Sequence, residues 1–219
     1  DFNGGLASIN GMVLSFADNS NFVLLHRYYP SSFNSPFGNA FGKSTSNSNE
    51  KGLYSAIDLS IVGRLKIAAW IEISKKPWLS SQLNSPSNVI SNAVQISYRY
   101  KDYNQLYIRC IRNSSFTKDS NIETGIDKPI ENNKINLRLH NNLFVSNTLS
   151  LRNRIEYCFV NDGNNEVLGW LLYQDIIYKP EILPLVFNFR FAIFDTDDWA
   201  SRIYSWENDV LYSYSSPSI

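Results

Sequence analysis

Arg64-Leu65-Lys66-Ile67-Ala68-Ala69-Trp70-Ile71-Glu72-Ile73 is the stretch that decides the fold. Successive side chains of an extended strand point to opposite faces. Leu65, Ile67, Ala69, Ile71 and Ile73 therefore share one face, and Arg64, Lys66, Trp70 and Glu72 share the other. The rhythm recurs downstream. Ile135, Leu137 and Leu139 oppose Lys134, Asn136, Arg138 and His140, and Leu149, Leu151, Ile155 and Tyr157 oppose Ser150, Arg152, Arg154 and Glu156. Helical periodicity is almost absent. Period-2 runs separated by turn clusters rich in Asn, Ser, Gly and Asp read as strands.

Working outward from these runs gives about eleven strands, near 5–16, 21–29, 52–62, 64–75, 90–101, 105–113, 133–140, 148–160, 166–178, 185–195 and 201–214. The fold expected is all-β: an antiparallel up-and-down meander of long strands in a single domain over 1–219, either an outer-membrane-type β-barrel or part of one.

Alternation alone fits two architectures. In a soluble sandwich the apolar face is the core; in a transmembrane barrel it meets lipid and the polar face lines the interior. Three features favour the barrel. Many runs reach the roughly 9–11 residues that a tilted strand needs to cross a bilayer, where sandwich strands average nearer 5–6. The connections alternate, with long links at 30–51, 77–89 and 114–132 and short ones at 17–20, Gly63, 102–104, 141–147 and 180–184; the short link at 161–165 breaks the pattern. Finally, Tyr28, Tyr29, Trp78, Tyr98, Tyr100, Tyr178, Trp199, Tyr204 and Trp206 fall near strand ends, as interfacial girdles do. A three-residue turn at 102–104 would keep Arg99 and Arg109 on the polar face, opposite Tyr107 and Ser97 respectively.

Composition narrows the function. The 219 residues carry 20 Lys and Arg against 20 Asp and Glu, a balance without the basic excess that nucleic-acid binding uses. Charged residues are 18% and aromatics 14%, which favours a large non-aqueous contact surface. No apolar run is long enough for a transmembrane helix. Asp1-Phe2-Asn3-Gly4-Gly5 has neither a basic nor an apolar leader segment, so the sequence reads as a mature form or an internal piece.

Catalytic and metal chemistry find little support. His26 and His140 lack partners at ligand spacing. Cys110 and Cys158 fall on opposite strand faces, so no disulfide is expected between them. Asp195, Asp197 and Asp198 bunch at a strand end but without the ordered spacing of a calcium loop. Glu207 and Asp209 sit on one face of one strand rather than across a cleft. No cofactor or metal is expected. The candidate functional residues are the lumen-facing polar side chains Arg64, Lys66, Glu72, Arg99, Arg109, Arg138, Arg152, Arg154, Glu156 and Arg190. They would either satisfy one another in a plugged interior or line a lumen that filters solutes or anions.

Several motifs resemble the barrel-like region of the helix-hairpin-helix-containing, ComEA-related proteins of Bacteroidota. They are Leu24-Leu25-His26-Arg27-Tyr28-Tyr29, Asn49-Glu50-Lys51-Gly52-Leu53-Tyr54, Gly169-Trp170-Leu171-Leu172-Tyr173-Gln174-Asp175 with Lys179-Pro180, Arg190-Phe191-Ala192-Ile193-Phe194-Asp195-Thr196, and Ser201-Arg202-Ile203-Tyr204-Ser205-Trp206-Glu207-Asn208-Asp209-Val210-Leu211. The resemblance implies a non-enzymatic outer-membrane barrel region with a structural, channel or binding role. Its implied partners are outer-membrane lipid and the remaining strands of a longer protein. Any link to DNA uptake would belong to a helix-hairpin-helix segment, not to these strands. The alternative from a different class is a soluble or surface-attached β-sandwich that binds carbohydrate on exposed Trp and Tyr. A hydrolase is the third reading, without a catalytic constellation to support it.

Overall fold

A computed structural model describes residues 4–35, 38, 40–44, 47–61, 63–79, 83–118 and 129–206. They form ten strands: β1 (Ser8–Ala17), β2 (Ser20–Tyr29), β3 (Glu50–Ile61), β4 (Leu65–Lys76), β5 (Ser87–Lys101), β6 (Asn104–Lys118), β7 (Pro129–Phe144), β8 (Leu149–Asn161), β9 (Glu166–Tyr178) and β10 (Phe187–Thr196). All belong to one antiparallel up-and-down sheet whose strand order is the sequence order, with β1 and β10 as its end strands. The shortest strands have 10 residues and the longest 16.

Local chemistry explains the turns. Asp18 and Asn19 join β1 to β2, and Asn19 takes the left-handed conformation at φ 57° that asparagine tolerates. A register shift between Ser15 and Ala17 marks a β-bulge before that turn. Gly63, at φ 61°, supplies the same left-handed geometry between β3 and β4. Between β8 and β9, the Asp162 carboxylate accepts the amides of Asn164 and Asn165, at 3.0 and 2.7 Å, in an Asx turn.

Three boundaries differ from the sequence reading. β6 and β7 extend into the link expected at 114–132, because ladder hydrogen bonding continues through the polar run Asn113–Lys118 and from Pro129 onward; residues 119–128 lie outside the described set. Only Asp102 and Tyr103 separate β5 from β6, not a three-residue turn, since Asn104 is already in the strand, with its side-chain oxygen accepting the Phe144 amide at 2.6 Å. The eleventh strand is not found at 201–206. A 3-10 turn at Trp199–Ser201 is followed by chain with a single bridge at Tyr204. Residues 207–214 lie outside the described set, as do Glu207 and Asp209.

On several strands the more exposed face is the apolar one. Phe189 and Phe191 on β10 are 62% and 63% exposed, and Ile71, Ile73, Val94, Ile96, Ile108, Leu137 and Leu172 are exposed as well. The buried set is rich in polar residues, among them Arg27, Glu50, Glu72, Ser91, Arg154, Glu156 and Asp175. No helix among the described residues is long and apolar enough to cross a membrane.

The chain divides into two compact units. The first comprises Asp1–Ser60, Ala68–Val94 and Arg112–Asn133; the second comprises Ile61–Ile67, Gln95–Ile111 and Lys134–Ile219. In the second, a small apolar cluster of Cys158, Val160, Leu171 and Tyr173 on the polar face is joined by Ile203 of the segment that follows β10.

Candidate functional site

In the first unit, the centre of the polar face is Arg27 of β2, which is 0% exposed. It stands opposite Gly52 of β3 in the ladder. A Cβ on Gly52 would come within 2.5 Å of the guanidinium carbon, so the glycine makes the space that Arg27 occupies. Arg27 Nε donates to Glu50 Oε1 at 2.6 Å, and Nη2 lies 2.7 Å from Glu72 Oε1. Lys43 Nζ lies 3.2 Å from Glu72 Oε2. Glu50 also accepts the Ser74 hydroxyl and the backbone amides of Lys43 and Ser44. Two carboxylates thus meet two cations, and Glu50 ties the long β2–β3 connection down onto the sheet. Aromatic rings close over the group. Arg27 lies 5.2 Å from the Phe41 ring centre and Lys43 5.7 Å from that of Trp70. Buried charges persist when they are paired and hydrogen-bonded in this way.

In the second unit, Asp175 of β9 is buried and stands opposite Arg190 of β10 in register. The pair is bidentate, with Nε to Oδ1 at 2.6 Å and Nη2 to Oδ2 at 2.7 Å, the fork geometry that makes Arg–carboxylate pairs strong. Glu156 of β8 accepts from Arg138 Nε at 2.7 Å and Nη2 at 3.0 Å, and also contacts Arg154. Tyr173 sits between two cations, 4.3 Å from Arg190 and 5.7 Å from Arg154, measured from its ring centre. His140 stacks on Tyr107 at 5.0 Å, with its Nε2 2.9 Å from Asn142 Oδ1.

The segment after β10 lies over this network. Its Ser201, Ile203 and Ser205 are buried, while its Tyr204 and Trp206 are exposed. Its backbone carbonyls accept from the sheet's cations. Ala200 accepts from Lys134 at 2.8 Å, Tyr204 from Arg154 at 3.3 Å and Trp206 from Arg190 at 2.6 Å. The residues expected to add a strand therefore cover the polar face instead, because Ile203 finds an apolar cluster there and the cations take the free carbonyls. The acidic bunch before it is used locally. Asp197 accepts the Leu168 amide at 2.8 Å, and Asp198 caps the 3-10 turn through the Trp199 amide at 2.6 Å.

The candidate lumen residues separate into three groups. Arg109, Arg138, Arg154, Glu156 and Arg190 belong to the second unit's network or its rim, and Glu72 belongs to the first unit's. Lys66 and Arg99 are exposed beside a small cleft that Arg64 shares. Arg152 is exposed. Arg64 is not on a strand: it is an exposed turn residue whose carbonyl accepts the Arg99 amide at 2.8 Å, because left-handed Gly63 turns the chain there. Arg27, Glu50 and Asp175 are absent from the sequence-derived set. Tyr29, expected in an interfacial girdle, is buried, and its hydroxyl donates to the Phe41 carbonyl at 2.8 Å. Cys110 and Cys158 are unpaired thiols. Among the described residues, no group of three or more His, Cys, Asp and Glu gathers as a metal site. Comparison with protein-family models, with curated proteins and with solved structures gives no match to this chain.

Proposed function

We propose that this chain is part of an outer-membrane-type β-barrel, with its apolar strand faces in lipid and a structural, channel or binding role rather than a catalytic one. The observation that carries this reading is the inversion of the faces: Arg27, Glu156 and Asp175 are buried while Phe189, Phe191 and Ile193 are exposed. In water that arrangement would leave a large apolar surface unburied. In lipid, that surface is matched by the solvent and the charged groups pair with one another in the interior. Strands of 10 to 16 residues support the reading, being long enough to span a bilayer when tilted. Paired networks on the polar face and the segment over them favour a filled interior, at least in the second unit. The sandwich alternative needs its apolar faces packed between two sheets, whereas the strands here form one sheet and leave those faces open.

Membership of the ComEA-related barrel-like region in Bacteroidota rests on the motifs quoted above, and with it the proposed partners: outer-membrane lipid and further strands. No role in DNA uptake is assigned to these strands. The test is purification with and without detergent, followed by gel migration of heated and unheated samples. A folded barrel requires detergent and runs as a compact, heat-sensitive band. A monodisperse chain in plain buffer would sink the lipid reading.

A further inference from the structure

A second feature of the polar face is a charge imbalance confined to one pocket. A cavity of about 210 Å³ in the second unit is lined by Arg109 of β6, Lys134, Asn136 and Arg138 of β7, Glu156 of β8, and Arg202 of the covering segment. Its walls thus carry four cations and one carboxylate. That carboxylate is already shared, since Glu156 holds Arg138 in two hydrogen bonds and contacts Arg154 as well. Lys134 uses one N–H on the Ala200 carbonyl. Arg202 is fixed by the Trp199 carbonyl at 3.0 Å and the Tyr204 hydroxyl at 2.6 Å, with its guanidinium 3.8 Å from the Trp199 ring centre. The Arg109 guanidinium makes no hydrogen bond and no ion pair among the described residues, and its charged neighbours are Arg138 and Arg154 as well as Glu156. By contrast, the Arg27 network is balanced, with two cations for two carboxylates. The cleft beside Arg64, Lys66 and Arg99 is basic but has only about 10 Å³ of room.

We infer that this pocket binds a compact oxyanion, a free solute carrying a phosphate or carboxylate group. Like charges held together in a partly desolvated site repel, and an anion between them offsets that repulsion. Arginine forks match the oxygens of phosphate and carboxylate. The volume has room for roughly seven waters, and so for one small organic anion. Arg109 is the group left for the ligand, while Arg138, Lys134 and Arg202 are pre-positioned by bonds they already make.

The site does not depend on where the apolar face lies, so the two readings fail separately. The test is calorimetric titration of inorganic phosphate at low ionic strength into the full chain, in phosphate-free detergent or in buffer, whichever keeps it folded. Saturable binding is expected. Arg109→Gln should weaken it about tenfold or more, the loss of one charge-assisted hydrogen bond, with the melting temperature unchanged or higher. Lys101→Gln, which removes an exposed cation at the end of β5, should leave binding intact. Absence of saturation in the unsubstituted chain would overturn the proposal, as would equal losses in the two variants. Binding that appears only when phospholipid is added would assign the pocket to a lipid headgroup and overturn the free-solute claim.

Discussion

Gly169 is in contact with the backbone carbonyl of Ser201, and the glycine's missing side chain is the clearance that carbonyl occupies. A Cβ there would also meet Thr196 Cγ2 at 3.2 Å. Gly169 pairs with Cys158 on one side and Thr196 on the other, so neither flanking strand can move aside without breaking its ladder. The opposing atom is main chain, which has no rotamer by which to retreat.

Gly169→Ala should therefore lift the segment 199–206 from the sheet and cost about 1–3 kcal/mol, the usual range for overpacking. Limited proteolysis would detect it as new cleavage around Trp199–Trp206. Retention of full protection would show that the segment is held without that close contact.

Arg27→Met should be among the most damaging single changes in the first unit. It leaves Glu50 and Glu72 buried together with only Lys43 to offset them, and breaking a buried pair from one side costs about 3–5 kcal/mol. Adding Glu50→Gln removes one of the two stranded charges and should recover part of the loss. A double-mutant cycle on unfolding free energy measures this directly. Strict additivity would mean that the two side chains are not coupled.

The lipid reading makes an asymmetric claim about β10. Phe189→Arg puts a charge on the exposed apolar face and should cost about 2–4 kcal/mol for folding into vesicles if it lies near the midplane. Asn188→Arg, one residue earlier and on the other face, should cost far less. Urea titrations of both variants in lipid vesicles compare them, and equal penalties would argue against a lipid-facing β10.

Asp162 gives the β8–β9 turn an acid-side dependence. The amides of Asn165 and then Asn164 donate to its carboxylate and hold its pKa below the ordinary aspartate value. A carboxylate whose pKa is lowered by folding stabilises the fold above its unfolded value, and that contribution is lost as pH falls through the folded value. The group is only partly buried, so the effect stays local to the turn and screening keeps it small. Amide exchange at Asn164 and Asn165 should accelerate, relative to the acid-side baseline, as pH drops below the aspartate range. Asp162→Asn should remove that pH dependence.

How far the sequence could be read depended on how cleanly each strand alternates. Over 65–73 of β4 and 149–157 of β8 every charged residue falls on one face, and Glu72, Arg154 and Glu156 are all buried on the face so identified. On β2 and β9, the buried face mixes the two classes: Arg27 shares it with Val23 and Leu25, and Asp175 with Leu171, Tyr173 and Ile177. Those charges do not stand out by period. Glu50 does not stand out because it begins β3 beside the long connection, and what marks its role is backbone amides from that connection, which no pattern in the sequence encodes. The segment 201–206 alternates as a strand would, but alternation describes one chain and not its neighbour. Ladder partners and an apolar cluster both suit such a pattern, and Ile203 took the cluster.

The main-chain anchoring of the covering segment has a consequence for how this surface can diverge. Lys134, Arg154 and Arg190 grip the carbonyls of Ala200, Tyr204 and Trp206, groups that every amino acid possesses. Replacing Tyr204 or Trp206 therefore leaves the anchor points in place. Selection is free to rewrite the outward side chain at Trp206, while Ile203, the three cations beneath the strip, and Arg202 with the Tyr204 hydroxyl that fixes it stay under constraint. Relatives of this chain should accordingly vary most at Trp206 and least at Ile203, a pattern of drift opposite to that of a strand recognised by its own side chains.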